Sequence, residues 1–504
     1  PPRSTLFPYT TLFRSHSFDF MLSNPPYGKS WATDLKYIKD GKDIIDPRFV
    51  VNLQDYWGNT EEVDATPRSS DGQLLFLMEM VDKMKPLSQS ILGSRIASVH
   101  NGSSLFTGDA GGGESNIRRH IIENDWLDCI VQLPNNLFYN TGITTYIWFL
   151  TNAKPEKRKG KVILIDASQR FAKLRKNLGA KNCELSPLHI KEIQNAYLNF
   201  TDVERKGEDG LAAKVFSNAD FGYYKVSIDR PARLKAQFSE EKIADLRFEK
   251  SLKEPMQWAY DTYGEKVYAD LKTLEKEILD WCEKSGLDLN AKKRKELTSN
   301  DTWKKQKDLL ETATLLFRQI GATEFNDFNL FSATVDELLK KEKIKLTASE
   351  KNQILAAVSW YDETAEKVVK KTEQLGGDKL DQLLHYLGCT VEQLPDFGYY
   401  PSGKKAAGRT GGDEYIIYES QTDLRDSENV PLNESIHGYF LREVKPHVAE
   451  AWIDLDKTKI GYEISFNKYF YQHKPLRSIE EVSAEILALD KESDGLIMDI
   501  LNLR

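Results

Sequence analysis

Residues Asn24, Pro25, Pro26 and Tyr27 stand directly after a short apolar run, Phe18 to Ser23. In that order they can hold an amine whose lone pair is delocalised. The Asn24 side-chain oxygen and the Pro25 carbonyl offer two acceptors for two N–H groups. Two successive prolines stiffen the loop, so the acceptors are in place before reaction. Tyr27 adds a flat ring on which a base can stack, worth roughly 1–3 kcal/mol per base. The matching chemistry is direct displacement at an activated methyl group. It needs no metal and no covalent enzyme intermediate, and positioning supplies most of the rate. A duplex base would first have to leave the stack. The bare tetrapeptide also reads as a proline turn after a strand, and it suits methylation of a glutamine side-chain amide equally well.

Such a site needs a rigid frame. Proline lacks an amide donor, so the strand ends at Ser23. The polar stretch from Asn24 to about Ser70 reads as a long loop. Asp71 is placed to cap a helix in which Leu74, Leu75, Leu77, Met78, Val81 and Met84 recur at helical spacing before Pro86. Ser94–His100 reads as a strand ended by Asn101 and Gly102, and a helix follows over Ser115–Asn124 with Ser115 as its capping candidate. Further strands are expected at Leu127–Leu133, Thr144–Leu150 and Val162–Ile165. Strands alternating with helices imply an α/β sheet with ligands at the strand ends.

Beyond Ser239 the texture becomes rich in Lys, Glu and Leu. Helices are expected over about 239–286, 301–319, 333–342 and 349–374. A boundary falls near Pro231, and the stretch 400–412 reads as a flexible linker. The division that follows is 16–235 for a catalytic part, 236–400 for a helical region and 401–504 for a subunit-interaction region. A last helix opens at Ser478, with Glu481 completing a capping box. Its Ile479, Val482, Ile486, Leu489, Leu496 and Ile500 fit a seam broken by Ser493. Packing on its own domain and packing on a partner are equally compatible with that pattern.

The formal net charge of −8 is unlike that of a protein gripping DNA alone. One stretch is basic, from Lys154 to Lys181. Four scattered cysteines form no CxxC pair, which speaks against zinc and against a disulfide framework. No apolar run reaches the roughly 18–20 residues that span a bilayer. Residues 1–15, PPRSTLFPYTTLFRS, nearly repeat themselves and resemble a translated sequencing adapter, so they are set aside as artefact or disordered leader. A strand pattern beginning at about Ser17 then implies a truncated gene.

The segments 18–31 (FDFMLSNPPYGKSW), 71–85 (DGQLLFLMEMVDKMK) and 93–152 are very similar to the modification subunit of type I restriction-modification systems. The similarity continues at Arg158–Val162 and Leu174–Gly179, then at 424–432, 439–454 and 457–466. The resemblance implies a partial Rossmann-like sheet of an S-adenosylmethionine-dependent methyltransferase, followed by a mainly α-helical C-terminal region. It implies site-specific adenine-N6 methylation of DNA, with Asn24, Pro25, Pro26 and Tyr27 as the methylation motif. By the same resemblance His100, Asn101 and Phe106 border the pocket, and loops carrying Asn136 and Phe138 lie at the same edge. Asn101 and Asn136 read equally as turn residues, and Phe138 as a core aromatic. Lys159, Lys161, Arg175 and Lys176 become candidates for phosphate contacts.

The implied partners are DNA, a DNA-specificity subunit, a second modification subunit and a restriction subunit, in a cytoplasmic setting with no membrane. The family's glycine-rich loop for S-adenosylmethionine is not found. Gly111-Gly112-Gly113 follows the wrong strand, and Gly376-Gly377 and Gly411-Gly412 lie outside the sheet. The chain alone is therefore expected to bind the cofactor weakly or not at all, to be inactive, and to expose an unpaired sheet edge. A non-catalytic docking fragment is the alternative, and a glutamine-amide methyltransferase is a further one.

Overall fold

The computed structural model describes residues 16–139, 141–207, 209–405, 412–471 and 478–502. The adapter-like segment 1–15 lies outside them. The chain forms two compact units: 1–224 with 431–433 and 459–504, and 225–430 with 434–458.

The first unit is built on six strands: β1 (Phe20–Ser23), β2 (Arg95–Asn101), β3 (Leu127–Gln132), β4 (Thr145–Thr151), β5 (Lys161–Asp166) and β6 (Ala212–Ser217). Their spatial order is β1-β2-β4-β3-β5-β6. β1 is parallel to β2, and β3 is parallel to β5. β4 runs antiparallel between β2 and β3, and β6 closes antiparallel on β5. The sheet is thus mixed, yet β1, β2, β3 and β5 all point the same way. Their C-terminal ends, Ser23, Asn101, Gln132 and Asp166, share one edge of the sheet.

Both faces are covered. Helices Gln73–Asp82 (α1) and Gly113–Glu123 (α2) bury Leu74, Leu75, Met78, Ile117 and Ile121 against Ile96, Ile130 and Trp148. On the other face Ala196 of helix Pro187–Asn199 (α3) packs with Cys129, Val131, Ile163 and Ile165. β3 therefore reads as a nearly continuous apolar run, as a doubly covered strand must. β1 is an edge strand among the described residues, with Leu22 86% exposed.

Several expected elements move. The loop expected over 24–70 is ordered by two hairpins, Lys39–Asp40 with Asp43–Ile44 and Val50–Gln54 with Thr60–Asp64. Trp31, Ile38, Phe49, Val51 and Leu53 there enter the main core. Ser115 lies inside its helix, whose N-cap is Gly112, and Gly72 rather than Asp71 is the N-cap of α1.

In the second unit the run 239–286 breaks into Glu240–Ala244, Lys253–Tyr263, Lys266–Ala269 and Leu271–Lys284. Gly264, at φ +57°, ends the second of these in a conformation that side chains disfavour. Further helices are Asn300–Ile320, Phe328–Lys341 and Ala348–Val358. The helix expected to 374 gives way to strands Ser359–Tyr361 and Val369–Leu375. Of the linker or loop expected at 400–412, Tyr400–Lys405 is a strand paired with Asp413–Tyr418, and 406–411 lie outside the described residues.

The last helix, Ile479–Asn502, starts as expected. Ser478 N donates to Glu481 Oε2 (3.0 Å) and Glu481 N to Ser478 Oγ (3.1 Å). Among the described residues no helix is long and apolar enough to cross a membrane.

Candidate active site

The turn after β1 leaves Asn24 and Pro26 exposed, buries Pro25 and half-buries Tyr27. Burial raises the Tyr27 hydroxyl pKa above its usual value. Asn24 makes no hydrogen bond among the described residues, so both ends of its amide are open to a ligand. A strap from residues 68–72 holds the turn. Trp31 N donates to the Ser69 carbonyl (2.9 Å), and Gly72 N to the Lys29 carbonyl (3.0 Å). Trp31 Nε1 donates to the Arg68 carbonyl (2.9 Å), and Gly28 N to Asp71 Oδ1 (3.1 Å).

Asn101, at the end of β2, is turned inward. Its Oδ1 accepts from Gln73 Nε2 (2.7 Å) and Ser103 N (3.0 Å), and its own N donates to Gln73 Oε1 (3.1 Å). The amide serves the turn, which leaves Asn24 as the open one of the two. His100 is wholly buried rather than facing an accessible surface. Its Nδ1 meets Gln73 Oε1 at 3.2 Å, and its Nε2 has no partner among the described residues. Burial pulls its pKa down to about 3, so it is neutral at physiological pH. Phe106 is exposed at the end of the short helix Ser103–Phe106 that follows β2.

At the end of β3, Asn136 adopts φ +58°, and its carbonyl accepts from Asn182 N (3.1 Å). That is the geometry of a turn residue. Phe138 is half-buried against the core of the α3 face. The sheet thus brings the turn of Asn24 beside the loop of Asn101 and Ser103, because β1 and β2 are parallel neighbours. His100 and Phe138 belong to the packing behind. The sequence did not single out Gln73 or Ser103, and it read Asp71 only as a cap.

The basic stretch divides into two sets. Arg158 is buried against Asp128 (2.9 Å), and Lys154 pairs with Asp125 (2.6 Å). Both hold the scaffold. Lys159 is exposed and pairs with Glu156 (2.7 Å). Lys161, Arg175 and Lys176 are exposed, the last two on strand Ala172–Leu178.

The glycine triplet at the start of α2 is a packing device. A side chain on Gly113 would meet the Thr66 carbonyl oxygen at 1.8 Å, and one on Gly111 the Lys459 side chain at 3.2 Å. At these glycines chain segments approach too closely for a side chain.

A doubly covered α/β sheet with an open Asn-Pro-Pro-Tyr turn at the C-terminal end of a strand has the build of a methyltransferase domain. Residues 5–233 match the N-6 DNA methylase family model. The match begins inside the segment set aside as adapter-like. A type I restriction enzyme methylase subunit of Methanocaldococcus jannaschii is 29% identical over 198 residues, covering 39% of this chain and 30% of that protein. One of Haemophilus influenzae is 32% identical over 154 residues, covering 28% of this chain and 31% of that protein. The chain thus spans about a third or less of the length of the curated relatives it matches. Among solved structures, the type I restriction-modification methyltransferase subunit from Streptococcus thermophilus is 25% identical, with a TM-score of 0.31. That likeness covers 43% of this chain and 37% of that one.

Proposed function

We propose that this chain is the methyl-transferring part of a type I modification subunit, acting on the N6 amine of adenine in DNA with S-adenosylmethionine as donor. The observation that carries the reading is Asn24. It is exposed, unpartnered among the described residues, and held at the end of β1 by a turn that five hydrogen bonds strap down, Ser30 Oγ to the Ser69 carbonyl among them. Its side-chain oxygen and the Pro25 carbonyl would take the two amine hydrogens, and Tyr27 would stack on the extruded base. The preorganised acceptors stabilise charge as it develops on the nitrogen.

S-adenosylmethionine would supply an electrophilic methyl group. The residues present fit the amine half of such a reaction. They fit the donor less well, because the glycine triplet opens helix α2 after β2, where it serves close packing of chain segments. Specificity, second modification and restriction subunits are the proposed partners, consistent with a net charge of −8 that leaves sequence reading to another chain.

The test uses a full-length modification subunit containing this segment, assembled with its specificity subunit. Labelled methyl groups should appear on adenine N6, and Asn24→Ala should lower kcat by roughly 100- to 1,000-fold. Unchanged methylation in Asn24→Ala, or label on a glutamine amide, would refute the reading.

A further inference from the structure

Four donors converge on the Asp71 carboxylate. Oδ1 accepts from Gly28 N (3.1 Å) and Gln73 N (3.3 Å), and Oδ2 accepts from Gln73 Nε2 (2.7 Å) and from Ser103 Oγ (3.0 Å), whose single proton is shared with Asn101 Oδ1 (2.5 Å). A carboxylate has about four lone-pair positions, and all are used. The side chain is buried. These donors come from three places that are distant in sequence. Gly28 follows Tyr27 directly. Gln73 opens α1. Ser103 opens the short helix Ser103–Phe106 after β2.

Gln73 extends the junction. Its Nε2 also donates to Asn101 Oδ1 (2.7 Å), and its Oε1 accepts from Asn101 N (3.1 Å). Because the Nε2 group is committed to Asp71 and Asn101, Oε1 must face His100, and His100 Nδ1 is the N–H donor across 3.2 Å. A bare helix cap would explain only the Gln73 N bond, and the N-cap residue of α1 is Gly72.

We propose that Asp71 is a positioning residue that fixes the Asn24–Tyr27 turn against the loop after β2, through Gly28 on one side and Ser103 and Gln73 on the other. Its catalytic consequence rests on the methyltransferase reading above. The physical reason is geometric. Asn24 has no partner of its own among the described residues, so its aim depends on the backbone that carries it. Gly28, at φ +67°, sits at the point where that backbone turns away. A misplacement of about 1 Å at a reacting group can cost 100-fold in rate.

Asp71→Ala removes both acceptor oxygens and with them the four bonds. In the 504-residue chain, hydrogen exchange of amides in 24–31 and 101–104 should rise at least tenfold, while the amides of 76–82 in α1 stay protected. In the assembled full-length complex kcat should fall about 100-fold with KM for DNA changed less than threefold. Asp71→Asn keeps one oxygen for Gly28 N and Gln73 N but sets an NH2 group against Gln73 Nε2, and it forces the Ser103 hydroxyl to turn toward Asn101 Oδ1. It should recover protection at 24–31, leave 101–104 loosened and restore part of kcat.

Wild-type exchange at 24–31 in Asp71→Ala, or kcat within twofold of wild type, would overturn the proposal. If Asp71→Ala does not fold, Asp71→Asn decides. Unchanged exchange at 101–104 together with unchanged kcat would overturn it. A wild-type complex that labels no DNA would refute the methyltransferase reading and the catalytic role of Asp71 with it. The exchange measurement would still decide the tether by itself.

Discussion

Arg118 Nε donates to the Tyr462 carbonyl at 2.6 Å, a fully buried bond between residues 344 positions apart. The same guanidinium donates to the carbonyls of Ser104 (3.1 Å) and Gly108 (3.5 Å). Beside it, Ile464 N donates to the Leu105 carbonyl (2.9 Å) and Tyr462 N to Ser115 Oγ (3.0 Å). The segment 459–466 therefore completes the unit that carries the candidate site, and it braces the loop after β2. Burial lowers the Arg118 pKa to about 10, which still leaves it charged at pH 7.

Arg118→Met should strand these carbonyls without donors in an apolar interior. Each buried orphan costs roughly 1–3 kcal/mol, so a loss of about 3 kcal/mol or more is expected. Denaturant unfolding of the 504-residue chain measures it. A midpoint equal to wild type would show that the brace contributes nothing.

His100 gives the fold a pH dependence. Its pKa is about 3 when folded, because burial penalises the cation, against about 6.5 when unfolded. Between those values the unfolded chain binds more protons, so stability must fall as pH drops through this window. The contribution is intact above pH 6.5. Between pH 7 and pH 5 the loss from this residue should approach about 2 kcal/mol. His100→Asn removes the titrating group, so its stability should vary less with pH over that range, whatever its absolute value. Identical pH profiles for the two proteins would contradict the burial argument.

The strands of the sheet domain and the turn after β1 were legible because their signals are local. Apolar runs end at Asn24-Pro25-Pro26 and at Asn101-Gly102, and β3 is apolar on both faces. The hairpin Val50–Gln54 with Thr60–Asp64 carried a signal that the polar composition around it hid. Val51 and Leu53 alternate with polar neighbours before Gly58 and Asn59. The site's supporting residues were not legible. Asp71 before an apolar helix has the local signature of a cap, and its bonds to Gly28 and Ser103 span 43 and 32 positions. Nor could spacing tell that Lys154 and Arg158 are committed to Asp125 and Asp128, whereas Lys161 is exposed.

That division sharpens the expectation for DNA. Lys157 and Lys173 of the basic stretch are exposed too, but the candidates for phosphate contact are Lys159, Lys161, Arg175 and Lys176. If they meet phosphates, each releases counterions on binding, and each adds about 0.9 to the slope of log affinity against log salt. Replacing all four by Gln in the assembled complex should flatten that slope by roughly 3 to 4 and weaken binding uniformly across DNA sequences. Folding should be untouched, because exposed sites away from caps and cores rarely matter by more than about 0.5 kcal/mol. An unchanged slope would assign these residues to a solvated face.

The last helix poses a sharper test. Ile486 and Leu489 are 61% and 64% exposed, and Ile479 is 81% exposed. They lie on the seam that the sequence shows, so this part of the apolar stripe does not pack on the chain's own described residues, whereas Val482 of the same seam is half-buried. A capped helix with an open stripe is suited to pack on a helix of another subunit. Ile486→Asp with Leu489→Asp should leave the unfolding midpoint of the isolated chain unchanged. Each buried aliphatic side chain is worth roughly 1.5–3 kcal/mol, so capture by the specificity subunit should weaken by about 100-fold or more. Co-elution in gel filtration and a titrated Kd read both arms. Assembly at wild-type affinity would place the subunit contact elsewhere, and a lowered midpoint would mean that the helix packs on its own chain after all.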